Sequence, residues 1–100
     1  MIHVIAVVET AEGKRDDYLK ELHKGVPLTR AEKGCIEYSP AVDLDTGFTA
    51  PPRGNVVTII EKWEDANALQ NHLKSSHMLE YRERVKDFVK GVTVSVLRDA

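Results

Sequence analysis

Residues 56–77 read VVTIIEKWEDANALQNHLKSSH, and the change of hydrophobic period inside this stretch decides the fold. Up to Trp63 the residues alternate: Val57, Ile59, Glu61 and Trp63 project to one face, Val56, Thr58, Ile60 and Lys62 to the other, because successive strand side chains point oppositely. Both faces carry apolar residues, so the strand is predicted to lie centrally in a sheet. Beyond Trp63 the period becomes helical. Asp65 is placed to accept the free N–H groups of a first turn, and Ala66, Ala68, Leu69 and Leu73 follow at helical spacing to about Lys74. Trp63 therefore marks the carboxyl end of a strand beside a helix start.

Upstream, residues 2–9, IHVIAVVE, are β-branched and apolar on both faces, a second central strand. From Gly13 to about Lys33, Tyr18, Leu19, Leu22 and Val26 recur at helical spacing, with Pro27 predicting a kink or break after Val26 and Gly34 a helix C-cap. Residues 35–42, CIEYSPAV, form a strand with Ile36, Tyr38, Pro40 and Val42 on one face, and Pro40 assigns it to an edge or a bulge. Residues 43–54, DLDTGFTAPPRG, are a long aperiodic loop, a candidate lid or mobile segment. Downstream, Ser75 or Ser76 caps another helix with a stripe of Met78, Tyr81, Val85 and Phe88. Gly91 ends it, and residues 92–99 alternate as a last strand.

Strand, helix, strand, strand, helix in two pieces, strand is the order of an α+β, ferredoxin-like βαββαβ fold: a four-stranded antiparallel sheet with helices on one face. One domain over residues 1–100 is expected. Helices cover only one face, yet two strands are apolar on both, so the expected partner is a second copy, a homodimer joined sheet to sheet.

Composition narrows the partners. With 42% hydrophobic and 30% charged residues, the chain is globular; a net charge of -2 with scattered Lys and Arg gives no electrostatic basis for nucleic acid or an anionic membrane. Cys35 is the single cysteine, which excludes an intrachain disulfide or a thiolate metal cluster within a protomer and fits a reducing compartment. MIHVIAVVETAEGKR has neither the basic region of a signal peptide nor enough apolar length for a span, so a cytoplasmic location is expected.

Two motifs carry a family resemblance. AEKGCIEY, residues 31–38, and IEKWEDANALQNHLKSSH, residues 60–77, resemble the antibiotic biosynthesis monooxygenase family, which includes quinol monooxygenases. Glu32, Gly34, Cys35 and Tyr38 match its E-x-G-C-x-x-Y pattern; Glu61, Trp63, Asp65, Ala68, Leu69, His72 and His77 match the second. The resemblance implies a dimeric α+β barrel that oxidises a quinol or polyphenol-type aromatic substrate with dioxygen, with no metal, flavin or haem cofactor. Isomerases and ligand-binding members of the same fold are the alternative. Haem-degrading relatives fit less well, since they depend on an Asn on the first strand and a His on the last helix, and residues 2–9 lack Asn while 78–90 lack His. The 43–54 segment is longer than the family's usual connection.

An oxygenase without a cofactor needs a substrate that supplies the electrons, and a phenol does so once deprotonated. The protein then provides a base, donors for the anion and a dry cavity. His72, on the Leu69 and Leu73 side of its helix, is the first candidate base, against the alternative of a half-buried histidine bonded to a carbonyl. His77, beyond the break at Ser75 and Ser76, either enters the same cleft or caps the next helix. A metal site of the two is not expected, because positions five apart do not share a helix face. For substrate binding, Trp63 offers a wall and an indole N–H, or is plain core; Tyr38 and Tyr81 offer hydroxyls, with Tyr81 also in the apolar stripe. Glu61, on the face of Trp63, cannot be buried unpaired, and an ion pair with Arg82 or Arg84 is expected ahead of an acid–base role. Cys35 reads as a packing residue, and His3 and His23 as structural or solvated.

Overall fold

A computed structural model describes all residues, 1–100, and gives the order β1 (Ile2–Thr10), α1 (Arg15–Arg30), β2 (Cys35–Ala41), β3 (Val56–Trp63), α2 (Ala66–Lys74), α3 (Ser76–Val85), β4 (Val89–Arg98). The strands form one antiparallel sheet in the order β2-β3-β1-β4. This is the expected ferredoxin-like α+β arrangement, and the two strands apolar on both faces, β1 and β3, are the central pair. Pro40 lies in β2 at the sheet edge, where its missing N–H breaks no ladder on the open side.

Alternation sets the core. Val4, Ala6 and Val8 of β1 and Val57, Ile59, Glu61 and Trp63 of β3 are buried on the face that receives Tyr18, Leu22 and Val26 of α1, Leu69 of α2 and Val85 of α3. The opposite face carries Ile5, Val7, Ile60 and Leu97, and Ile60 and Leu97 are exposed. Val92, Val94 and Val96 of β4 stand opposite Val8, Ala6 and Val4 on the helix side, yet each is more than half exposed. The helices do not reach across β4.

Helix ends follow local chemistry. The Asp65 carboxylate accepts from the Ala68 N–H at 2.8 Å and starts α2. Ser75 ends α2, its extended backbone turning the chain, and its hydroxyl accepts from the Met78 N–H to start α3.

Several expectations are corrected. Helix α1 continues through Pro27 to Arg30, since the missing N–H falls in its last turn, where one bond is lost and the Ala31 N–H still reaches the Pro27 carbonyl. Gly34 is therefore not a helix cap but the turn into β2. At φ +86° it occupies the left-handed region, and a Cβ there would lie 2.6 Å from the Ala68 Cβ. A Gly34→Ala substitution is expected to destabilise the fold by about 2 kcal/mol in urea unfolding, combining backbone strain with the clash. Adding Ala68→Gly should recover the steric share alone; no loss in the single variant would contradict this packing.

A shift in the β2–β3 register between Cys35 and Glu37 turns Ile36 outward, 53% exposed, so Ile36 does not share the face of Tyr38. Helix α3 stops at Val85, and Gly91 lies inside β4 at a register shift opposite Glu9 instead of ending the helix. Segment 43–54 is a loop, but it is stapled at its ends by Asp43, which takes the Arg53 guanidinium at 2.8 and 3.0 Å and its backbone N–H at 2.9 Å. No helix is long and apolar enough to cross a membrane.

Candidate active site

Between the helix side of the sheet and α2 and α3 lies a cavity of about 470 Å³, lined by 18 residues of which 14 are hydrophobic. Its floor is Val4, Ala6 and Val8 of β1, Ile59 and Glu61 of β3, and the valines of β4; Leu69, His72 and Leu73 of α2 and Met78, Tyr81 and Val85 of α3 form the roof. Arg82 and Lys86, both exposed, lie at its edge. No residue of 43–54 lines this cavity, so the loop is not its lid. A mostly apolar hollow with few polar groups is the usual form of a small-molecule site.

His72 is 2% exposed and is held from three sides. Its ring lies 4.7 Å from that of Trp63 and 5.6 Å, edge to face, from that of Tyr38. Its Nδ1 is 2.6 Å from Glu32 Oε2. A carboxylate accepts only, so Nδ1 carries the hydrogen and Nε2, which has no protein partner, keeps a free lone pair. Burial lowers the imidazole pKa below its ordinary value, and the Glu32 carboxylate opposes that shift. The ring is thereby held as a neutral base whose second nitrogen has no protein partner, on a residue that lines the cavity.

Glu32 also accepts from His77 Nε2 at 2.9 Å. The turn at Ser75 between α2 and α3 removes the helix-face constraint that separated the two histidines in the sequence, so both meet one carboxylate. Their three donor atoms lie within 4.8 Å of one another. They are the set able to face a divalent cation, although at these hydrogen-bond distances an ion would have to displace both imidazole protons. His77 does not line the cavity, and its Nδ1 is buried without a partner. His77 thus stands against Glu32 and outside the cavity lining.

Trp63 is fully buried and does not line the cavity, which is the core placement of the two the sequence offered. Its indole N–H donates to Glu61 Oε1 at 2.9 Å. Glu61, 6% exposed, has no ion pair with Arg82 or Arg84; Arg82 instead donates to the Leu73 carbonyl, and Arg84 approaches Glu21. Burial pushes the Glu61 carboxyl up to about 7, against the lowering effect of the Trp63 hydrogen bond, and the Glu32 charge adds to the rise.

Tyr38 and Tyr81 both line the cavity. The Tyr81 hydroxyl is bonded to that of Tyr18 at 2.5 Å, while the Tyr38 hydroxyl has no protein partner; burial raises the pKa of each phenol. Cys35 is half-buried and burial raises its thiol pKa, consistent with an inert packing residue. His3 bonds Asp99 at 2.7 Å and His23 is exposed, both away from the cavity. The Tyr18 hydroxyl and the role of Glu32 were the omissions. Glu32 sat in the first motif, but no local pattern links it to histidines forty residues away.

A four-stranded antiparallel sheet with an apolar cavity under its helices, holding a neutral histidine and a buried carboxylate, defines a domain of the ferredoxin-like α+β class. The profile of the family described as antibiotic biosynthesis monooxygenase matches residues 1–84, and the chain belongs to that family. It is 34% identical to "Probable quinol monooxygenase YgiN" of Escherichia coli K12 over 101 residues, covering 98% of this chain and 97% of the relative. Among solved structures it is similar to Rv0793 from Mycobacterium tuberculosis, with TM-score 0.83 at 28% identity over 99% of this chain and 94% of that one. PA3566 from Pseudomonas aeruginosa superposes with TM-score 0.85 at 25% identity, covering 99% and 93%.

Proposed function

We propose that the protein is a cofactor-independent monooxygenase that inserts one atom of dioxygen into a quinol or polyphenol ring. The observation that carries this reading is His72 lining an apolar cavity with Nε2 unpartnered and its other nitrogen held by Glu32. Such a base removes a phenolic proton, and the phenolate becomes a strong enough electron donor to reduce dioxygen. The Tyr38 hydroxyl is free to donate to the resulting anion, and the apolar lining keeps water from quenching the charge. For a simple dihydroquinone, the balance is quinol plus dioxygen giving hydroxyquinone plus water. The similarity to a protein named as a quinol monooxygenase supports the same substrate class.

The test is oxygen uptake with a panel of dihydroquinones and catechols, with and without EDTA. Uptake unaffected by the chelator and matched by hydroxyquinone is expected; stabilisation by a quinol with no uptake would favour a binding protein.

The working unit is a homodimer joined through the helix-free sheet face, in a reducing, cytoplasmic setting that suits the lone thiol of Cys35. Only 17 of 100 residues are buried, and Ile5, Val7, Ile60 and Leu97 gather on that one face. A second copy of the same face covers them symmetrically. Sedimentation should give a dimer for the native chain and a monomer for Ile60→Lys; a native monomer at micromolar concentration would contradict the arrangement.

A further inference from the structure

Hydroxylation of a quinol ring has two proton removals, and His72 accounts for the first. Once the phenolate has delivered electrons to dioxygen, a C–O bond forms at the neighbouring ring carbon and the peroxide takes the proton held on His72. That carbon then carries both a hydrogen and a hydroperoxide. To reach the quinone it must lose its hydrogen as a proton while the C–H electron pair becomes the C=O bond and the O–O bond breaks. The carbon is oxidised by two electrons and the outer oxygen leaves as hydroxide. That proton sits on carbon and not on the phenol oxygen that His72 served, so the step calls for a base within reach of the ring carbon itself.

We propose that Glu61 is that base: its carboxylate removes the carbon-bound proton from the hydroperoxide and passes it to the departing hydroxide, which leaves as water. The inference rests on the quinol-oxygenase reading and extends it to a second catalytic residue. Glu61 lies on the sheet floor, whereas His72 belongs to α2, and both line the one cavity, so a ring bound there can meet a base from each of two elements. Its Oε1 is fixed by the Trp63 indole at 2.9 Å, and Oε2 has no protein donor.

A carboxylate buried in an apolar wall ordinarily has a cation partner, and this one has none. The groups that face it are Tyr38, beside it on β2; His72 on α2; Tyr81, Arg82 and Lys86 on α3; and the repelling charge of Glu32. On its other side β1 offers only Val4. Arg82 is bonded to the Leu73 carbonyl and Lys86 pairs with Glu83, so neither neutralises it. With its carboxyl pushed up to about 7, Glu61 both accepts and returns a proton near neutral pH, as one turnover requires.

The test measures three quantities in one turnover: oxygen consumed, hydroxyquinone formed and hydrogen peroxide released. The native protein is expected to form hydroxyquinone without peroxide. In Glu61→Gln, proton removal by His72 persists, so oxygen is still consumed. The stalled hydroperoxide instead expels hydroperoxide anion, which is protonated to hydrogen peroxide, and leaves the unhydroxylated quinone, so that quinol plus dioxygen gives quinone plus peroxide. Hydroxyquinone formation should fall by about 10²-fold or more. Glu61→Asp retains a carboxylate and should divide turnover between the two products, which keeps the test available if the Gln variant does not fold. Unchanged hydroxyquinone yield in the folded Gln variant, or native partition in Glu61→Asp, would overturn the role of Glu61. Loss of oxygen uptake in the folded Gln variant would also overturn it, by moving Glu61 to the first step. A native protein that consumes no oxygen with any quinol fails at the earlier reading, and the two failures are distinct.

Discussion

Replacing His72 with glutamine is expected to lower oxygen uptake with a quinol by about 10²–10⁴-fold, the range that a positioned general base contributes. Glutamine is chosen because its amide still donates to Glu32, so the carboxylate is not left buried and unpaired as it would be in an alanine variant. The pH profile gives a second reading. Burial lowers the His72 pKa from its ordinary value of about 6.5, so the neutral base is populated at pH 7 and is lost only as the solution is acidified below that value. The first proton removal should therefore show an acid limb below pH 6.5 in kcat/KM, and the glutamine variant should lack that limb. Turnover at the native rate in a folded His72→Gln protein would remove His72 from the chemistry.

The largest stability effect is expected at Trp63. Truncation to alanine should cost about 3–5 kcal/mol, the usual range for removing a large aromatic side chain from a core. Three structural jobs are lost together. Trp63 is fully buried at the end of β3, it packs against the His72 ring at 4.7 Å, and its N–H holds the Glu61 carboxylate at 2.9 Å. Urea unfolding measures the loss. Trp63→Phe should lie well below it, because ring packing survives while the hydrogen bond to Glu61 does not. A truncation costing under 1 kcal/mol would contradict the place given to Trp63 in the core.

The sequence made the sheet legible because periodicity reports burial directly. β1 and β3 carried apolar residues on both faces and proved central, and Pro40 marked β2 as the edge. Asp65 and Ser75 marked helix starts because caps are local chemistry. Errors arose where tertiary context outweighs local pattern. Pro27 was absorbed in the last turn of α1, and Gly91 belongs to a bulge dictated by pairing with Glu9.

In the site, His72, Tyr38 and Tyr81 were legible as apolar-face residues bearing polar atoms, and the cavity gathers all three. The wiring behind them was not. That one carboxylate, Glu32, holds both His72 and His77 depends on how the α1–β2 turn meets the α2–α3 break, a relation no spacing rule carries. Glu61 was read as one half of an ion pair because a buried charge asks for a partner. The actual partner is the indole two residues along its own strand, which leaves the second oxygen without a protein donor on a residue that lines the cavity.

The central claim is oxygen insertion driven by protein bases on an electron-rich ring. Turnover of a quinol under ¹⁸O₂ tests it most directly, with mass spectrometry of the quinone and of the water formed. One labelled atom in the hydroxyquinone and one in water, with no peroxide, is the expected result. Unlabelled quinone accompanied by stoichiometric labelled peroxide, or no oxygen consumption with any quinol that binds, would contradict it.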